Sequence, residues 1–227
     1  MPLLLFFVLP FVLPNTEYFE KHFGEVSEHI WEFFCFAISF SGLIVRCIVC
    51  GFVPKKTSGR NTKKQEAKNL NTKGMYSIVR HPLYFANFLI FFGIILSTEV
   101  IWFIIVSVMA FWLYYERIMY AEEEFLQNKF GKLFESWSKT TPAFIPNISL
   151  WIKPDRIFSF KTCLRREYAT LLLIVASFSI LDILEDYIVE KVFEFDTIWK
   201  ILLLTSFLIF ICIGILKKKT KILKSSF

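Results

Sequence analysis

The sequence predicts an all-α protein that crosses a membrane several times, with five to six spanning helices. Of its 227 residues, 55% are apolar, and the charged residues make up only 20% and lie in clusters between apolar stretches. This composition excludes a disordered chain and a disulfide-rich secreted domain. The net charge of +6 does not indicate nucleic-acid binding, because the basic residues flank apolar segments as they do in membrane proteins.

Five apolar stretches are long enough, or nearly so, to cross a hydrocarbon core that requires about 20 residues. These stretches are residues 30–53, 82–98, 100–115, 168–181 and 198–216. A sixth stretch, residues 1–13, is short and interrupted by Pro10, so it is a marginal span or an interfacial anchor. Arg46 lies inside the first stretch, a turn or two before Pro54, and we expect its guanidinium to reach toward the interface.

The segments outside these stretches differ in charge. Residues 54–74, 153–166 and 217–224 are rich in Lys and Arg, whereas residues 15–29 and 182–196 are acidic. Because basic loops remain in the cytoplasm, the three basic segments are expected there and the two acidic loops outside. One alternating path through the membrane satisfies all five constraints.

The second and third stretches form the most informative pair. Residues 82–98 and 100–115 are separated only by Glu99, and so short a connection forces an antiparallel helical hairpin. Both open ends of the hairpin then face the cytoplasm. The hairpin therefore brings the residues before Pro82 beside the residues after Tyr115.

The two open ends carry complementary chemistry. One supplies the hydrogen-bond donors Arg80, His81 and Tyr84, and the other supplies the carboxylates of Glu122 and Glu123. A zwitterionic ligand with a carboxylate and an ammonium group would find partners for both charges here. Each group also has a purely structural interpretation, since an Arg–His pair can mark the interface and adjacent glutamates can form a solvated helix face. Their co-location favours a binding site. The sequence shows no metal-ligand spacing and no dinucleotide fingerprint.

Two motifs flank the hairpin. They read Gly74-x-Tyr76-x-x-x-Arg80-His81-Pro82-x-Tyr84 and Glu122-Glu123-x-x-Leu126-x-x-x-Phe130-Gly131, followed by Pro146. With the hairpin between them, these motifs resemble the isoprenylcysteine carboxyl methyltransferase and phospholipid methyltransferase superfamily over about residues 68–146. The resemblance implies a multi-pass membrane enzyme that binds S-adenosylmethionine in a pocket facing the cytoplasm and admits a lipid acceptor from the bilayer.

The resemblance also implies roles for individual residues. The implied cofactor contacts are Leu70, Asn71, Tyr76, His81, Pro82, Leu83, Tyr84 and Glu122. Family members bind the acceptor with an arginine four residues before the glutamate pair, a position that Ile118 occupies here, with Arg117 one residue earlier. The residues predicted to hold and position the reacting groups are Arg117, Arg80 and Glu123. The chain departs from the family pattern at Ala86, where glycine is usual, and at Phe134 and Trp137, where tyrosines are common.

Four segments are predicted along the chain: N-terminal spans (1–53), a basic loop with the first motif (54–81), the methyltransferase core (82–150) and a two-span extension (151–227).

The predicted function is S-adenosylmethionine-dependent methylation of an anionic group, a phosphate or carboxylate, on a membrane lipid or lipidated substrate, such as a lipid A-type phosphate or an isoprenylcysteine. Two alternatives remain open. One is an NAD(P)H-dependent membrane reductase of the sterol reductase type, and the other is a non-catalytic membrane scaffold. The host membrane could be a bacterial inner membrane or the endoplasmic reticulum.

Overall fold

The fold is all-helical, as the sequence predicts. A computed structural model describes residues 8–16, 22, 24–52, 69–189, 191 and 195–219, and these residues contain no β-strand. After a short N-terminal helical turn, Leu9–Val12 followed by the 3₁₀ turn Leu13–Asn15, the helices are α1 (Glu25–Phe52), α2 (Met75–Ile78), α3 (Pro82–Leu96), α4 (Ile101–Phe130), α5 (Lys132–Thr140), α6 (Phe160–Val189) and α7 (Thr197–Lys219). Most of the predicted basic loop and the end of the basic tail lie outside the described residues.

Three helices in the described part of the chain are long and apolar enough to cross a membrane: Val26–Phe52, Ile101–Phe130 and Thr197–Lys218. This confirms a multi-pass membrane protein, but the predicted count of five to six spans is not reproduced. Helix α3 has 15 residues and is about 22 Å long at 1.5 Å per residue, shorter than a hydrocarbon core of about 30 Å. Helix α6 is long enough, but charged residues at both of its ends leave only residues 168–181 uncharged.

The predicted hairpin is present. Helices α3 and α4 are joined by residues 97–100, in which Glu99 adopts a positive φ of 58°. Contacts between Phe88 and Phe111 and between Asn87 and Tyr115 run in antiparallel register. Helix α4 continues without interruption to Phe130, so the membrane segment and the second motif share one helix. At about 45 Å, this helix is longer than the hydrocarbon core is thick.

Small residues let α1 and α3 approach closely. A Cβ atom at Gly93 would lie 2.4 Å from the Cys35 carbonyl oxygen and 2.3 Å from Ser39 Oγ. A Cβ at Gly42 would likewise meet the Ala86 carbonyl at 2.6 Å. Ser39 is fully buried and donates a hydrogen bond to the Ile90 carbonyl at 2.9 Å. Such small-residue contacts are typical of helix pairs in membranes.

The C-terminal helices pack on the same core. Phe178 of α6 stacks on Trp199 of α7 with ring centroids 5.3 Å apart, and both lie in one buried cluster with Cys35 and Ile90. The N-terminal turn packs at the other end of the hairpin, where the buried Val12 and Leu13 side chains contact residues around the α3–α4 connection. The core hairpin is therefore covered by elements that precede and follow it in the sequence.

Arg46 is a correction to the sequence expectation. Its side chain does not reach toward the interface, because only 9% of it is exposed and its Nε donates to Glu167 Oε2 of α6 at 2.6 Å. Glu167 also accepts hydrogen bonds from Cys50 and Thr170. A buried guanidinium needs such a compensating charge, and the partner lies 121 residues away in the sequence.

Candidate functional site

Side chains from both motifs meet at the open end of the hairpin. His81, at the start of α3, has Nε2 2.9 Å from Glu123 Oε1 and Nδ1 3.6 Å from Glu122 Oε2. Tyr84 donates a hydrogen bond to Glu122 Oε2 at 2.8 Å, and its ring stacks on the His81 ring. We call these side chains, together with Arg80, the hairpin cluster. The juxtaposition predicted from the hairpin is therefore present.

The backbone that carries the first motif is held by a third segment. The Arg80 amide donates to the Pro142 carbonyl at 2.8 Å, and the His81 amide donates to the Ala143 carbonyl at 3.2 Å. Pro82 occupies the first turn of α3, where its missing N–H costs nothing and its fixed φ suits a helix. Arg80 and His81 are consequently fixed in the non-helical segment directly before the helix, and their side chains contact Glu123 of α4.

Arg80 links the cluster to the end of α5. Its Nε lies 3.0 Å from Glu123 Oε1 without hydrogen-bond alignment, and its Nη1 donates to the Ser138 carbonyl at 2.6 Å. Arg80 also lines an open cavity of about 740 Å³. The other lining residues are Ser138, Lys139, Thr140, Thr141, Pro142, Ala143, Ile145, Pro146, Asn147, Ile148 and Ser149. Arg80 is thus the member of the hairpin cluster that this cavity reaches.

The two carboxylates determine the protonation of His81. Burial by itself would lower the pKa of His81, but hydrogen bonds and charges from Glu122 and Glu123 outweigh it, so the pKa lies above its ordinary value. Carboxylates only accept hydrogen bonds, and one faces each ring nitrogen. The imidazolium form is therefore favoured. About a quarter of each glutamate side chain is exposed, 26% for Glu122 and 27% for Glu123, so a ligand can still reach both.

Other predicted contact residues surround the cluster to different degrees. Burial raises the pKa of the Tyr76 phenol, and the nearby negative charge of Glu122 raises it further. The Tyr76 carbonyl accepts a hydrogen bond from Trp137. Pro82 is buried and Leu83 half-buried at the start of α3. Leu70 and Asn71 are half-buried in the non-helical segment before α2, outside the hairpin cluster.

Arg117 does not join the cluster. Its side chain is exposed, and five residues at 100° each place it about 140° around α4 from Glu122. Ile118, the position at which the family carries its arginine, is half-buried. The one-residue offset of Arg117 from the family's arginine position therefore places its side chain on another face of α4. Arg80, in contrast, contacts Glu123.

Sequence reasoning missed three residues beside the cluster. Tyr115 lies two helical turns before Glu122 on the same face of α4, and its ring lies 5.2 Å from that of Tyr84. Asn87 Nδ2 donates to the Tyr115 hydroxyl at 3.1 Å, and Asn87 Oδ1 accepts from Arg46 Nη1. The seven-residue spacing between Tyr115 and Glu122 was the available signal. Nothing local in the sequence connects Arg46 to either.

Comparison with known proteins agrees with the motifs. Residues 55–133 match the family model described as phospholipid methyltransferase. The nickel-cobalt-cadmium resistance protein NccN of Alcaligenes xylosoxydans xylosoxydans is 36% identical over 87 residues, which cover 38% of this chain and 40% of that protein. The cobalt-zinc-cadmium resistance protein CzcN of Cupriavidus metallidurans is 39% identical over 82 residues, covering 36% and 38%.

The chain therefore spans about two fifths of the length of these curated relatives. No solved structure gives a significant match. The family match includes both halves of the hairpin and the Glu122–Glu123 pair, although it ends before the segment that holds the Arg80 backbone. Over residues 55–133, the resemblance to the isoprenylcysteine carboxyl methyltransferase and phospholipid methyltransferase superfamily is confirmed.

Proposed function

We propose that the protein is a membrane methyltransferase that uses S-adenosylmethionine to methylate an anionic group of a membrane lipid or lipidated substrate. The observation that carries this proposal is the hairpin cluster, in which Glu122 and Glu123 meet His81, Tyr84 and Arg80 at the end of an apolar hairpin. Such a site offers both signs of charge to a zwitterion beside a lipid phase. The family match of residues 55–133 supports methyl transfer as the reaction.

The donor set suits the amino-acid portion of the cofactor. An ammonium group requires acceptors, and Glu122 and Glu123 present partly exposed carboxylate oxygens. A carboxylate requires donors, which protonated His81 provides. We propose that the residues holding the cofactor are Leu70, Asn71, Tyr76, His81, Pro82, Leu83, Tyr84 and Glu122.

The protein's part in the reaction is positioning and charge. When bound, the cofactor supplies an electrophilic sulfonium methyl group, so the difficult chemistry does not fall to a side chain. A phosphate or carboxylate acceptor is already anionic at pH 7 and needs no general base. Holding the acceptor oxygen in line with the methyl group can lower the activation free energy by several kcal/mol. We assign the acceptor-holding charge to Arg80 in preference to Arg117, because Arg80 belongs to the hairpin cluster. Glu123 orients Arg80.

The proposed orientation places the hairpin cluster on the cytoplasmic side. It rests on the Lys and Arg residues of segments 54–74, 153–166 and 217–224. Labelling of single-cysteine variants at Lys63, Glu135 and Ser225 from one face of sealed vesicles tests it. All three should label from the cytoplasmic face, and labelling of any one from the opposite face would contradict the orientation.

The alternatives differ in ligand. A reductase would bind NADPH, and a scaffold would bind neither cofactor. A ligand at about 100 times its Kd stabilises a protein by roughly 2.7 kcal/mol, so thermal unfolding of the detergent-solubilised chain distinguishes these cases. S-adenosylhomocysteine should raise the melting temperature and NADPH should not. Stabilisation by NADPH alone would support the reductase.

The chemical outcome is tested with radiolabelled S-adenosylmethionine and membranes containing the protein. Extracted lipid should carry the label, and mild alkali should release it as methanol, because methylation of an anionic oxygen yields an ester. A carboxyl methyl ester and a more base-resistant methyl phosphodiester serve as separate standards. Label that resists conditions cleaving both standards would indicate an N-methylated acceptor and contradict the anionic assignment.

The printed names of the two relatives concern resistance to nickel, cobalt, zinc and cadmium. If this chain acts in the same physiological setting, we propose that methylation of a membrane lipid is its contribution. Lowering the negative charge of a lipid headgroup would weaken the attraction of divalent cations to the membrane surface. Growth in added cadmium, compared between cells with the wild-type chain and with Glu122→Gln, measures this effect.

A further inference from the structure

Tyr115 lies where the proposed cofactor site meets the bilayer. It ends the apolar stretch 100–115, and charged Glu116 follows it. Its ring packs on Phe111 at 4.1 Å and lies 5.2 Å from Tyr84. The side chain is half-buried, so a ligand can contact it. Seven residues, about 10 Å along α4, separate Tyr115 from Glu122 on the same helix face.

The hydrogen bonds behind Tyr115 have a fixed direction. Arg46 carries only donors, and Glu167 accepts two of them while Asn87 Oδ1 accepts a third. Asn87 must therefore direct its amide nitrogen away from Arg46, and Nδ2 donates to the Tyr115 hydroxyl oxygen at 3.1 Å. The buried ion pair thereby determines that the Tyr115 oxygen acts as an acceptor toward Asn87.

This direction determines what remains available to a ligand. Tyr84 uses its hydroxyl hydrogen on Glu122. The Tyr115 hydroxyl hydrogen, by contrast, has no acceptor among the residues that the structure describes. The Tyr115 oxygen already accepts one hydrogen bond from Asn87, and its hydrogen is the group left without a partner in the described part of the chain, so the hydroxyl favours an anionic or carbonyl oxygen of a ligand.

We propose that Tyr115 is an acceptor-binding residue, which donates its hydroxyl hydrogen to the anionic oxygen of a lipid headgroup, with Asn87 and Arg46 as positioning residues behind it. The inference rests on the proposed function, since the headgroup is the methyl acceptor of that reaction. It adds a recognition contact on the bilayer side of the cluster, where the family's arginine position is occupied by Ile118.

The test compares two lipids with the same chains, dioctanoyl phosphatidic acid and dioctanoylglycerol, by titration calorimetry of the detergent-solubilised full chain without cofactor. The wild type should prefer phosphatidic acid. Tyr115→Phe keeps the ring contacts and removes the donor, so this preference should fall about 10- to 150-fold, the range for a lost hydrogen bond to a charged group. If Tyr115 had a purely structural role, the substitution would weaken the binding of both lipids alike and leave the ratio of their affinities unchanged.

Two further variants sharpen the test. Tyr114→Phe makes the same change at the adjacent exposed residue and should leave the preference as it is in the wild type. Asn87→Asp keeps the Tyr115 hydroxyl but replaces its amide donor with a carboxylate, which only accepts hydrogen bonds. The Tyr115 hydroxyl hydrogen should then point to residue 87 and away from the ligand. The preference for phosphatidic acid should therefore fall as in Tyr115→Phe. Wild-type preference in Tyr115→Phe or in Asn87→Asp would overturn the proposal, as would a wild type that binds both lipids equally.

S-adenosylhomocysteine titrated into the same samples separates this inference from the proposed function. Its affinity should be equal in the wild type and Tyr115→Phe. Loss of that affinity in Tyr115→Phe would overturn the proposal by placing Tyr115 in the cofactor site. A wild type that shows the Tyr115-dependent lipid preference but binds no S-adenosylhomocysteine would contradict the methyltransferase and support the lipid contact.

Discussion

Arg46 of α1 and Glu167 of α6 form a buried ion pair, with Nε 2.6 Å from Oε2 and side-chain exposures of 9% and 2%. It joins the helix that packs on the hairpin to the C-terminal extension. Because Arg46 also binds Asn87 of α3, one guanidinium connects three helices. The extension is thereby linked to the residues that support the proposed acceptor site.

Removing one partner of this pair should strongly destabilise the protein. Arg46→Met leaves the Glu167 carboxylate buried without its counter-charge, and Glu167→Gln does the reverse, each costing about 3–5 kcal/mol. The double variant Arg46→Met/Glu167→Met removes both charges and should recover much of the loss. Denaturant unfolding in detergent measures these differences. A double variant as unstable as the sum of the single ones would contradict the account.

The pH dependence of stability should reveal His81. Its folded pKa lies above the ordinary value of 6.5, so its ion pairs contribute fully below about pH 6.5 and are lost as pH rises through the raised folded pKa. The wild type should therefore exceed His81→Gln in stability most at low pH, and the difference should shrink as the solution becomes alkaline. Melting temperatures from pH 6 to about 9 measure it.

The control for this experiment removes the carboxylates. In Glu122→Gln/Glu123→Gln, the groups that raise the pKa of His81 are neutral, so adding His81→Gln should produce a difference that does not decline with rising pH. A wild-type difference independent of pH would contradict the imidazolium form of His81.

Close helix packing at Gly93 should be sensitive to a single methyl group. In Gly93→Ala the new Cβ meets the Cys35 carbonyl at 2.4 Å, and backbone cannot yield as a flexible side chain can, so we expect a loss of about 1–3 kcal/mol. Gly214→Ala is the matched control, because a Cβ there meets nothing within 4 Å. Its stability should equal or slightly exceed that of the wild type. Equal unfolding midpoints for both variants would exclude close α1–α3 packing.

The sequence was sufficient for the features that depend on local pattern. The hairpin followed from the single residue between two apolar stretches, and the meeting of His81 with Glu122 followed from the hairpin. The span count did not follow, because helix α3 ends at Leu96 and the uncharged part of α6 is only residues 168–181. Hydropathy alone does not locate helix ends.

The ion pair of Arg46 could not be predicted from local sequence. The expected position of Arg46 near the interface followed from its distance to the end of the apolar stretch, whereas its partner Glu167 depends on how α1 and α6 pack. Contacts of such sequence separation are decided by tertiary packing and leave no local signal. Tyr115 differs in having a local signal, its seven-residue spacing to Glu122, but that spacing gains significance only because Asn87 and Tyr84 of α3 face Tyr115.

The proposed function depends on cofactor binding at Glu122. Titration calorimetry with S-adenosylhomocysteine measures this binding in the wild type, in Glu122→Gln and in Glu124→Gln, the exposed neighbour that serves as a matched control. Loss of a charge-assisted hydrogen bond should weaken binding by Glu122→Gln about 10- to 150-fold, while Glu124→Gln should bind like the wild type. Equal affinity in Glu122→Gln and the wild type, or no binding by the wild type, would contradict the account.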